Sequence, residues 1–401
     1  MASARRYPRS VAEDPRRHDA APPASPLRIA WFGHGEGRRA DGLSTYTRET
    51  VAALRARGHE VRLFIHEQDG EARGDQEAVA LRALRVKTLT VSLLGSTDRI
   101  APALDEFAPD IVHCSWSFGT LDGEIARRAR ERGAGTVATF HLPYATPRSG
   151  RGRVLRGLYR YHVRNLAEYD RCVALSDDQR TLLVSAGYAD DRVVVIPNGV
   201  DTESICPGPS GLRSELGARF VVAYMGRLDP EKRVADLVRA FLDQKWPEDH
   251  VLLIAGGGSQ ERKVRRLAEE SPSVHMLGVV TDWEQRLDLL RAADVYVLPS
   301  TAEGLALSML EAMSVGCAVA ATDVGEDGTA LRDAGILLPV NPLQPALAEA
   351  LTRLRDDPAL RAELGSRARR RCVEHYSLGR SVDRLLSTYT QLRPAPAGVL
   401  T

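Results

Sequence analysis

One stretch, from Asp294 to Gly328, constrains the fold of this chain more than any other. A short apolar run, Val295 to Leu298, ends in Pro-Ser-Thr, and an apolar segment with helical spacing follows Glu303-Gly304-Leu305. Gly316 closes that segment, and a second apolar run begins at Cys317. Strand, helix and strand in this order form one parallel crossover, so the first loop opens at the carboxyl edge of a parallel sheet.

The start of the helix in this crossover is the first candidate binding site. Amides in the first turn have no partner within the helix, so we expect a bound anion near four consecutive residues, Gly304, Leu305, Ala306 and Leu307. Glu303 precedes the helix and Glu311 follows slightly more than two turns later, so both carboxylates lie near one side of it. A diphosphate at the helix start would place a sugar near Glu303 and a ribose near Glu311. The alternative is that Glu303 caps the helix dipole and Glu311 belongs to a solvated face.

The spacing of these two glutamates resembles the signature of a known family. Glu303, seven intervening residues, Glu311, then Ala312-Met313 and Gly316, are similar to glycosyltransferase family 4 (group 1), retaining enzymes of the GT-B fold. Ser308-Met309-Leu310 departs from the expected pattern and leaves both glutamates intact. The resemblance implies an α/β fold in which two Rossmann-like parallel-sheet domains face each other across a cleft.

The chain divides into four predicted parts. Residues 1–26 show no helical or alternating periodicity, and we interpret them as a disordered tail. Residues 27–200 form a first sheet domain that ends at Pro197-Asn198-Gly199-Val200-Asp201, although no elements are assigned between 67 and 101. Residues 201–377 form a second sheet domain. The resemblance implies that the first domain binds the acceptor, that the second binds the nucleotide sugar, and that a final helix in 378–401 crosses back.

Two candidate residues lie in the first domain. A glycine-rich loop after the first strand leads into a helix, and the resemblance implies that Gly42 contacts the donor. His141 follows the predicted strand Thr136–Phe140 and so faces the crevice of an open sheet. An isolated histidine there is more often a packing residue, but the resemblance implies that His141 positions the donor sugar by hydrogen bonding. His113 ends another strand, and we do not include it in the predicted site.

The second domain supplies the predicted diphosphate site. Gly226-Arg227 and then Glu231-Lys232 follow the strand Phe220–Met225. Arginine offers a planar fork to two phosphate oxygens and lysine a compact charge, so we predict that Arg227 and Lys232 hold the diphosphate beside the backbone of Gly226. The alternative is an exposed basic loop. A glycine turn at Gly257 allows the backbone to approach a nucleotide, and the resemblance places Val279 in the base pocket.

These residues predict one kind of chemistry. As the bond to phosphate breaks, negative charge grows on the diphosphate, which Arg227 and Lys232 stabilise, while Glu303 and His141 orient the oxocarbenium-like sugar. The resemblance implies a retaining hexosyltransferase that uses a nucleotide-diphosphate sugar, UDP favoured over GDP, and a hydroxyl of a lipid, glycan or small metabolite. Two alternatives stay open: epimerisation or hydrolysis of a nucleotide sugar in the same fold, and a non-catalytic nucleotide-sugar-binding protein.

Composition limits the classes of cofactor and partner that we expect for this chain. A net charge of +1 gives no reason to expect nucleic acid, and five scattered cysteines without pairing or metal spacing fit a reduced cytosol. No metal-binding Asp-x-Asp follows a strand, so we expect neither a metal nor another cofactor. No apolar run reaches the roughly 18 to 20 residues needed to cross a bilayer, so we expect a cytoplasmic protein, in solution or peripheral at the inner membrane face.

A basic segment is the one feature that suggests a membrane. Six arginines and no acid lie between Arg148 and Arg164, and four of them have helical spacing with apolar residues between them. This pattern predicts a basic amphipathic helix. It either rests on anionic lipid, guides a charged acceptor, or is simply a solvated face in an arginine-rich chain.

Overall fold

A computed structural model describes the chain in residues 25–34, 42–67, 78–86, 89–92, 96–116, 121–141, 163, 166–244 and 246–393. Strands and helices alternate through these residues, and the strands form two separate sheets. This confirms the predicted α/β class with two parallel-sheet domains.

The first sheet has eight strands, seven of them parallel. In chain order they are β1 (Arg28–His34), β2 (Glu60–Glu67), β3 (Val79–Val86), β4 (Leu89–Ser92), β5 (Ile111–Trp116), β6 (Gly135–Phe140), β7 (Arg171–Ala174) and β8 (Val193–Val195). The spatial order is β4-β3-β2-β1-β5-β6-β7-β8, with β4 antiparallel at one edge. The described helices of this domain are α1 (Gly42–Ala56), α2 (Ser96–Phe107), α3 (Asp122–Glu131) and α4 (Asp177–Ser185).

The second sheet has six parallel strands. They are β9 (Phe220–Met225), β10 (His250–Ala255), β11 (Val274–Gly278), β12 (Val295–Leu298), β13 (Ala318–Thr322) and β14 (Ile336–Leu338), in the spatial order β11-β10-β9-β12-β13-β14. The helices after β8 are α5 (Gly211–Leu216), α6 (Val234–Leu242), α7 (Glu261–Ala268), α8 (Trp283–Ala292), α9 (Leu307–Ser314), α10 (Asp327–Leu331), α11 (Leu343–Asp356), α12 (Pro358–His375) and α13 (Leu378–Leu392).

The central strands are buried because helices cover both faces of each sheet. Every residue of β6, β9 and β12 is buried, and β9 and β12 are accordingly apolar runs without alternation. Parallel strands end on one edge, so the loops after β9, β10, β12 and β13 meet at the carboxyl edge of the second sheet.

The chain passes between the domains twice, and the two passes touch. The amide of Val200 donates to the carbonyl of Tyr376 at 2.9 Å, and the amide of Leu378 donates to the carbonyl of Val200 at 2.8 Å. After the second pass, α13 packs on the first domain through Val382, Leu385 and Tyr389, which share one buried apolar cluster with residues of β1. The last helix therefore returns to the first domain in the structure. The predicted domain boundaries at residues 200 and 377 stay predictions.

Two glycine loops extend the second sheet beyond its strands. The amide of Gly226 donates to Ala255 at 3.0 Å, and the amide of Leu228 donates to Gly257 at 3.0 Å. A Cβ on Gly256, whose φ is +137°, would lie 1.8 Å from the carbonyl oxygen of Gly226. Only a glycine lets the backbone come this close, so Gly256 fixes the position of the loop that carries Arg227.

We therefore expect Gly256→Ala to destabilise the protein by about 3 kcal/mol or more, because backbone atoms must move and the positive φ is strained. Urea unfolding followed by circular dichroism measures the change. The matched control is Gly211→Ala in α5, where a Cβ would make an ordinary contact at 3.5 Å with Asp288. Equal stability of the two variants would contradict this account of the loop.

Candidate functional site

A largely buried ion pair joins the loops after β9 and β12. The ammonium of Lys232 contacts Glu303 Oε1, and the two side chains are only 14% and 11% exposed. Lys232 ends a single helical turn, Pro230–Lys232, and the amide of Thr301 donates to the carbonyl of Glu231 at 2.7 Å. The backbone contact and the ion pair together hold the two loops in register at the carboxyl edge of the sheet.

Arg227 lies beside this ion pair and is half-exposed. Its guanidinium contacts Asp229 and donates to Glu231 at 2.9 Å. Although burial opposes the charged form, Glu231, Asp229 and Glu303 raise the pKa of Arg227. The structure therefore brings together three of the predicted residues, Arg227, Lys232 and Glu303, in one electrostatic cluster.

Two buried tyrosines hold the backbone beneath Arg227. The hydroxyl of Tyr224 donates to the carbonyl of Arg227 at 2.7 Å, and that of Tyr296 donates to the carbonyl of Met225 at 2.9 Å. Asp229 accepts from the amide and the hydroxyl of Ser259 at 2.9 and 2.8 Å, which ties this loop to the one after β10. The predicted cationic group thus rests on a fixed backbone, a condition for electrostatic preorganisation.

The helix after β12 begins later than the sequence predicts. It begins at Leu307, and Gly304 and Leu305 precede it. The amide of Ala306, predicted to face an anion, instead donates to Asp327 Oδ1 at 2.8 Å. The prediction for Ala306 is corrected because a carboxyl oxygen of the protein itself satisfies this amide at the helix start.

Asp327 is a site residue that sequence reasoning missed. It is fully buried, and burial together with the charge of Glu303 raises its pKa well above the ordinary value. It contacts the loop after β12 from a helix 21 positions further along the chain. No local pattern around Asp327-Gly328 indicates that partner, because the contact depends on the crossover geometry.

Glu311 is not on a solvated face. It is 1% exposed, and Arg286 Nη2 donates to its two oxygens at 2.7 and 2.9 Å. Burial raises the pKa of Glu311, and the charges of Arg286 and Arg48 oppose that shift. A ribose at this carboxylate must therefore share it with Arg286 or displace that side chain, a partner that the sequence did not indicate.

Charged groups of the two domains meet at this point. Arg48 and Glu49 of α1 form an ion pair at 3.5 Å. Burial and the charge of Glu311, on the opposite domain, raise the pKa of Glu49 to about 7. Each domain thus contributes one carboxyl group and one guanidinium group beside the predicted ribose position.

A second group of carboxylates faces across the domains beside the Gly304 loop. Burial, followed by the charges of Asp178 and Asp177 at the start of α4, raises the pKa of Glu326 to about 7, while a hydrogen bond with Ser176 opposes the shift. The amide of Glu326 donates to the carbonyl of Gly304 at 2.8 Å, so this contact involves the loop that carries Glu303. Nearby, Asn198 Nδ2 donates to the carbonyl of Leu305 at 3.1 Å.

The remaining predicted residues lie around the same edges. Gly257 faces Val279, because a Cβ on the glycine would lie 3.0 Å from Val279 Cγ2, and the valine is half-exposed. Gly42 begins α1, and a side chain there would meet no atom within 4 Å. His141 follows β6 on the first domain, half-buried, with its ring against the ring of Tyr46. The contacts of these residues with a donor stay predictions.

The basic segment from Arg148 to Arg164 lies outside the described residues except for position 163, so its predicted contact with a membrane stays a prediction. Within the described parts of the chain, no helix combines the length and the apolar character that a membrane crossing requires.

Similarity to known proteins decides the family. A family model described as Glycosyltransferase Family 4 matches residues 40–204, and one described as Glycosyl transferases group 1 matches residues 219–357. A D-inositol 3-phosphate glycosyltransferase from Actinosynnema mirum is 31% identical over 88% of this chain and 93% of the relative. The chain belongs to glycosyltransferase family 4, group 1. It is therefore a glycosyltransferase.

Other relatives agree with this assignment. An alpha-maltose-1-phosphate synthase from Mycolicibacterium smegmatis is 30% identical, and the match spans 56% of this chain and 63% of that protein. Among solved structures, HepE from Anabaena in complex with UDP-glucose has a TM-score of 0.70 at 19% identity, covering 90% of this chain and all of the other. The likeness confirms the predicted GT-B fold of this glycosyltransferase.

The two raised carboxyl pKa values predict how stability depends on pH. Glu49 and Glu326 bind a proton more tightly in the folded chain, with pKa values of about 7, than at the ordinary value of 4.5. Because the folded state holds the extra protons in this window, the contribution of these two groups to the free energy of unfolding falls as pH rises from about 4.5 to 7 and then levels off.

We expect Glu49→Gln and Glu326→Gln each to be more stable than the wild type at pH 8, by on the order of 1 to 3 kcal/mol, with no difference near pH 4. Urea unfolding at both pH values measures this. Glu215→Gln, at an exposed position of α5, is the control. A stability difference that is the same at both pH values would show that the two carboxyl groups do not titrate as described.

Proposed function

We propose that this glycosyltransferase retains the anomeric configuration and moves a hexose from a UDP-sugar to a hydroxyl group of a small phosphorylated acceptor. The observation that carries the proposal is the buried Lys232–Glu303 pair with Arg227 beside it, at the edge where ligands of open α/β sheets bind. The names of the relatives support the acceptor class, and the UDP-glucose bound to HepE supports the donor.

The ion pair explains how the site exists without its substrate. A buried cation needs a partner, and Glu303 provides one for Lys232. A donor diphosphate brings its own negative charge, so it replaces the carboxylate as the partner of Lys232. Glu303 is then released to accept hydrogen bonds from hydroxyl groups of the sugar. Binding therefore exchanges one ion pair for another at Lys232, and hydrogen bonds from the sugar replace the ammonium at Glu303.

The same groups assist bond cleavage. Negative charge grows on the diphosphate as the glycosidic bond to phosphate breaks, and Lys232 and Arg227 stabilise it from fixed positions. The acceptor hydroxyl attacks the anomeric carbon from the face that the phosphate leaves, and its proton passes to the departing phosphate oxygen. Protein side chains do not act as nucleophiles in this scheme, and the configuration is retained. Because Arg227 and Lys232 provide positive charge at the leaving group, we propose that the reaction needs no metal ion.

Membership of a glycosyltransferase family favours transfer over the two alternatives of hydrolysis or epimerisation and of binding without turnover. We place the enzyme in the cytoplasm. Supporting this, four of the five cysteines are buried and all five are free thiols, as is usual in a reducing compartment.

The donor and the stereochemistry are tested together. We expect UDP to raise the thermal unfolding midpoint more than GDP does, because a ligand that binds only the folded chain stabilises it. With UDP-glucose and D-inositol 3-phosphate, proton NMR of the product should show the same anomeric configuration as the donor. A product of inverted configuration would contradict the retaining mechanism, and free glucose as the only product would favour hydrolysis.

The diphosphate site is tested by removing its two cations. We expect Lys232→Ala and Arg227→Ala each to lower kcat/KM by on the order of 100-fold, because the developing charge loses a preorganised partner. Lys263→Ala and Arg262→Ala, at exposed positions of α7, are matched controls that should leave turnover unchanged. Near-normal turnover in both site variants would rule out the proposed diphosphate site.

A further inference from the structure

His113, which the proposed chemistry does not use, has a hydrogen-bond partner on both ring nitrogens. It lies in β5 and is 0% exposed. Its Nδ1 lies 2.7 Å from the hydroxyl of Tyr389, in the last helix α13, and its Nε2 lies 3.0 Å from Thr139 Oγ1 in β6. The indole of Trp31 stacks on the imidazole, with centroids 3.9 Å apart and planes 8° apart. The ring plane is therefore fixed from its face and from both edges.

The directions of these hydrogen bonds follow from burial. The Tyr389 hydroxyl is fully buried, and His113 is the one hydrogen-bond partner found for it among the described residues, so the hydroxyl donates to Nδ1. Burial, and the nearby His141, lower the pKa of His113 well below its ordinary value, so the ring is neutral. A neutral ring that accepts at Nδ1 carries its proton on Nε2 and donates it to Thr139.

The chain of contacts continues to His141. The Thr139 hydroxyl, which accepts from His113, lies 3.3 Å from the hydroxyl of Tyr46 in α1, and either of these two hydroxyl groups can be the donor. Burial raises the pKa of Tyr46 to about 12, so the phenol stays protonated. The Tyr46 ring meets the His141 ring edge to face, with centroids 4.5 Å apart and an angle of 66°. The last link in the chain is thus a ring contact on the histidine at the end of β6.

We propose that Tyr389, His113, Thr139 and Tyr46 form a positioning relay that fixes the ring of His141 for the donor sugar. The proposal rests on the proposed function and on the predicted contact of His141 with the donor sugar. The four residues act on the sugar through His141, so they are positioning residues. Because Tyr389 lies on the helix that returns from the second domain, the relay makes the orientation of His141 depend on where that helix is seated.

A purely structural role of Tyr389 and Thr139 would require different properties of these side chains. Packing alone requires a side chain of the right volume, which phenylalanine at position 389 or valine at position 139 would supply. The relay requires hydroxyl groups at these two positions, because each connects one partner to the next by a hydrogen bond. Variants that keep the shape and remove the hydroxyl group therefore separate the two roles.

The test is NMR of the full chain with ¹⁵N-labelled histidine, in which the 10 histidines are resolved and His113 and His141 are assigned from His113→Asn and His141→Asn. In the wild type we expect His113 to show one neutral tautomer, protonated on Nε2. In Tyr389→Phe, both ring nitrogens of His113 should shift toward each other as tautomers mix, and the ring signals of His141 should shift as well.

The matched control is Tyr169→Phe. Tyr169 is also fully buried in the first domain, and its hydroxyl donates to the carbonyl of Asp122 at 2.7 Å, outside the relay. This variant should leave the His141 signals in place. Thr139→Val should shift them, Thr139→Ser should restore the wild-type spectrum, and adding Tyr389→Phe to Thr139→Val should cause no further shift at His141.

His141 signals that stay in place in Tyr389→Phe and Thr139→Val, or that shift equally in Tyr169→Phe, would overturn the relay. So would additive shifts in the double variant. If Tyr389→Phe does not fold, Thr139→Val against Thr139→Ser decides the question in the same way. These spectra need no substrate, so a failure of the relay is distinguishable from a failure of the proposed function, which appears in the transfer products.

Discussion

A buried cation that needs a partner is the constraint on which the rest of this site depends. Lys232 and Glu303 lie on loops that follow two adjacent strands of the second sheet, and their ion pair is largely shielded from water. A charge at that depth needs an opposite charge or hydrogen bonds in place of water. The pair therefore holds the loops in place in the free enzyme, and we propose that a donor diphosphate takes over the role of the carboxylate at Lys232.

The two domains meet through charged groups that shift each other's pKa values. Near the predicted ribose position, Glu49 of α1 faces Glu311 of α9, with Arg48 and Arg286 nearby. Beside the Gly304 loop, Glu326 faces acidic residues at the start of α4. Polar contacts of this kind are typical of interfaces between two domains of one chain.

Much of this architecture follows from the sequence, for reasons that specific residues show. The limits of β9 and β12 are those of the apolar runs, because strands buried on both faces must be apolar throughout. Arg227, Lys232 and Glu303 were predictable because they follow strand ends in a recognisable pattern. Arg286 and Asp327 were not, since each acts on a residue more than 20 positions away. The start of α9 was misplaced because Asp327, and not the local sequence, satisfies the amide of Ala306.

A crystal structure of the enzyme with UDP bound would show directly whether Lys232 exchanges Glu303 for the diphosphate of the donor. We expect the Lys232 ammonium to contact an oxygen of the diphosphate, Arg227 to turn from Asp229 and Glu231 toward it, and Glu303 to be no longer paired with Lys232. A diphosphate bound elsewhere, with the Lys232–Glu303 pair intact, would contradict this exchange.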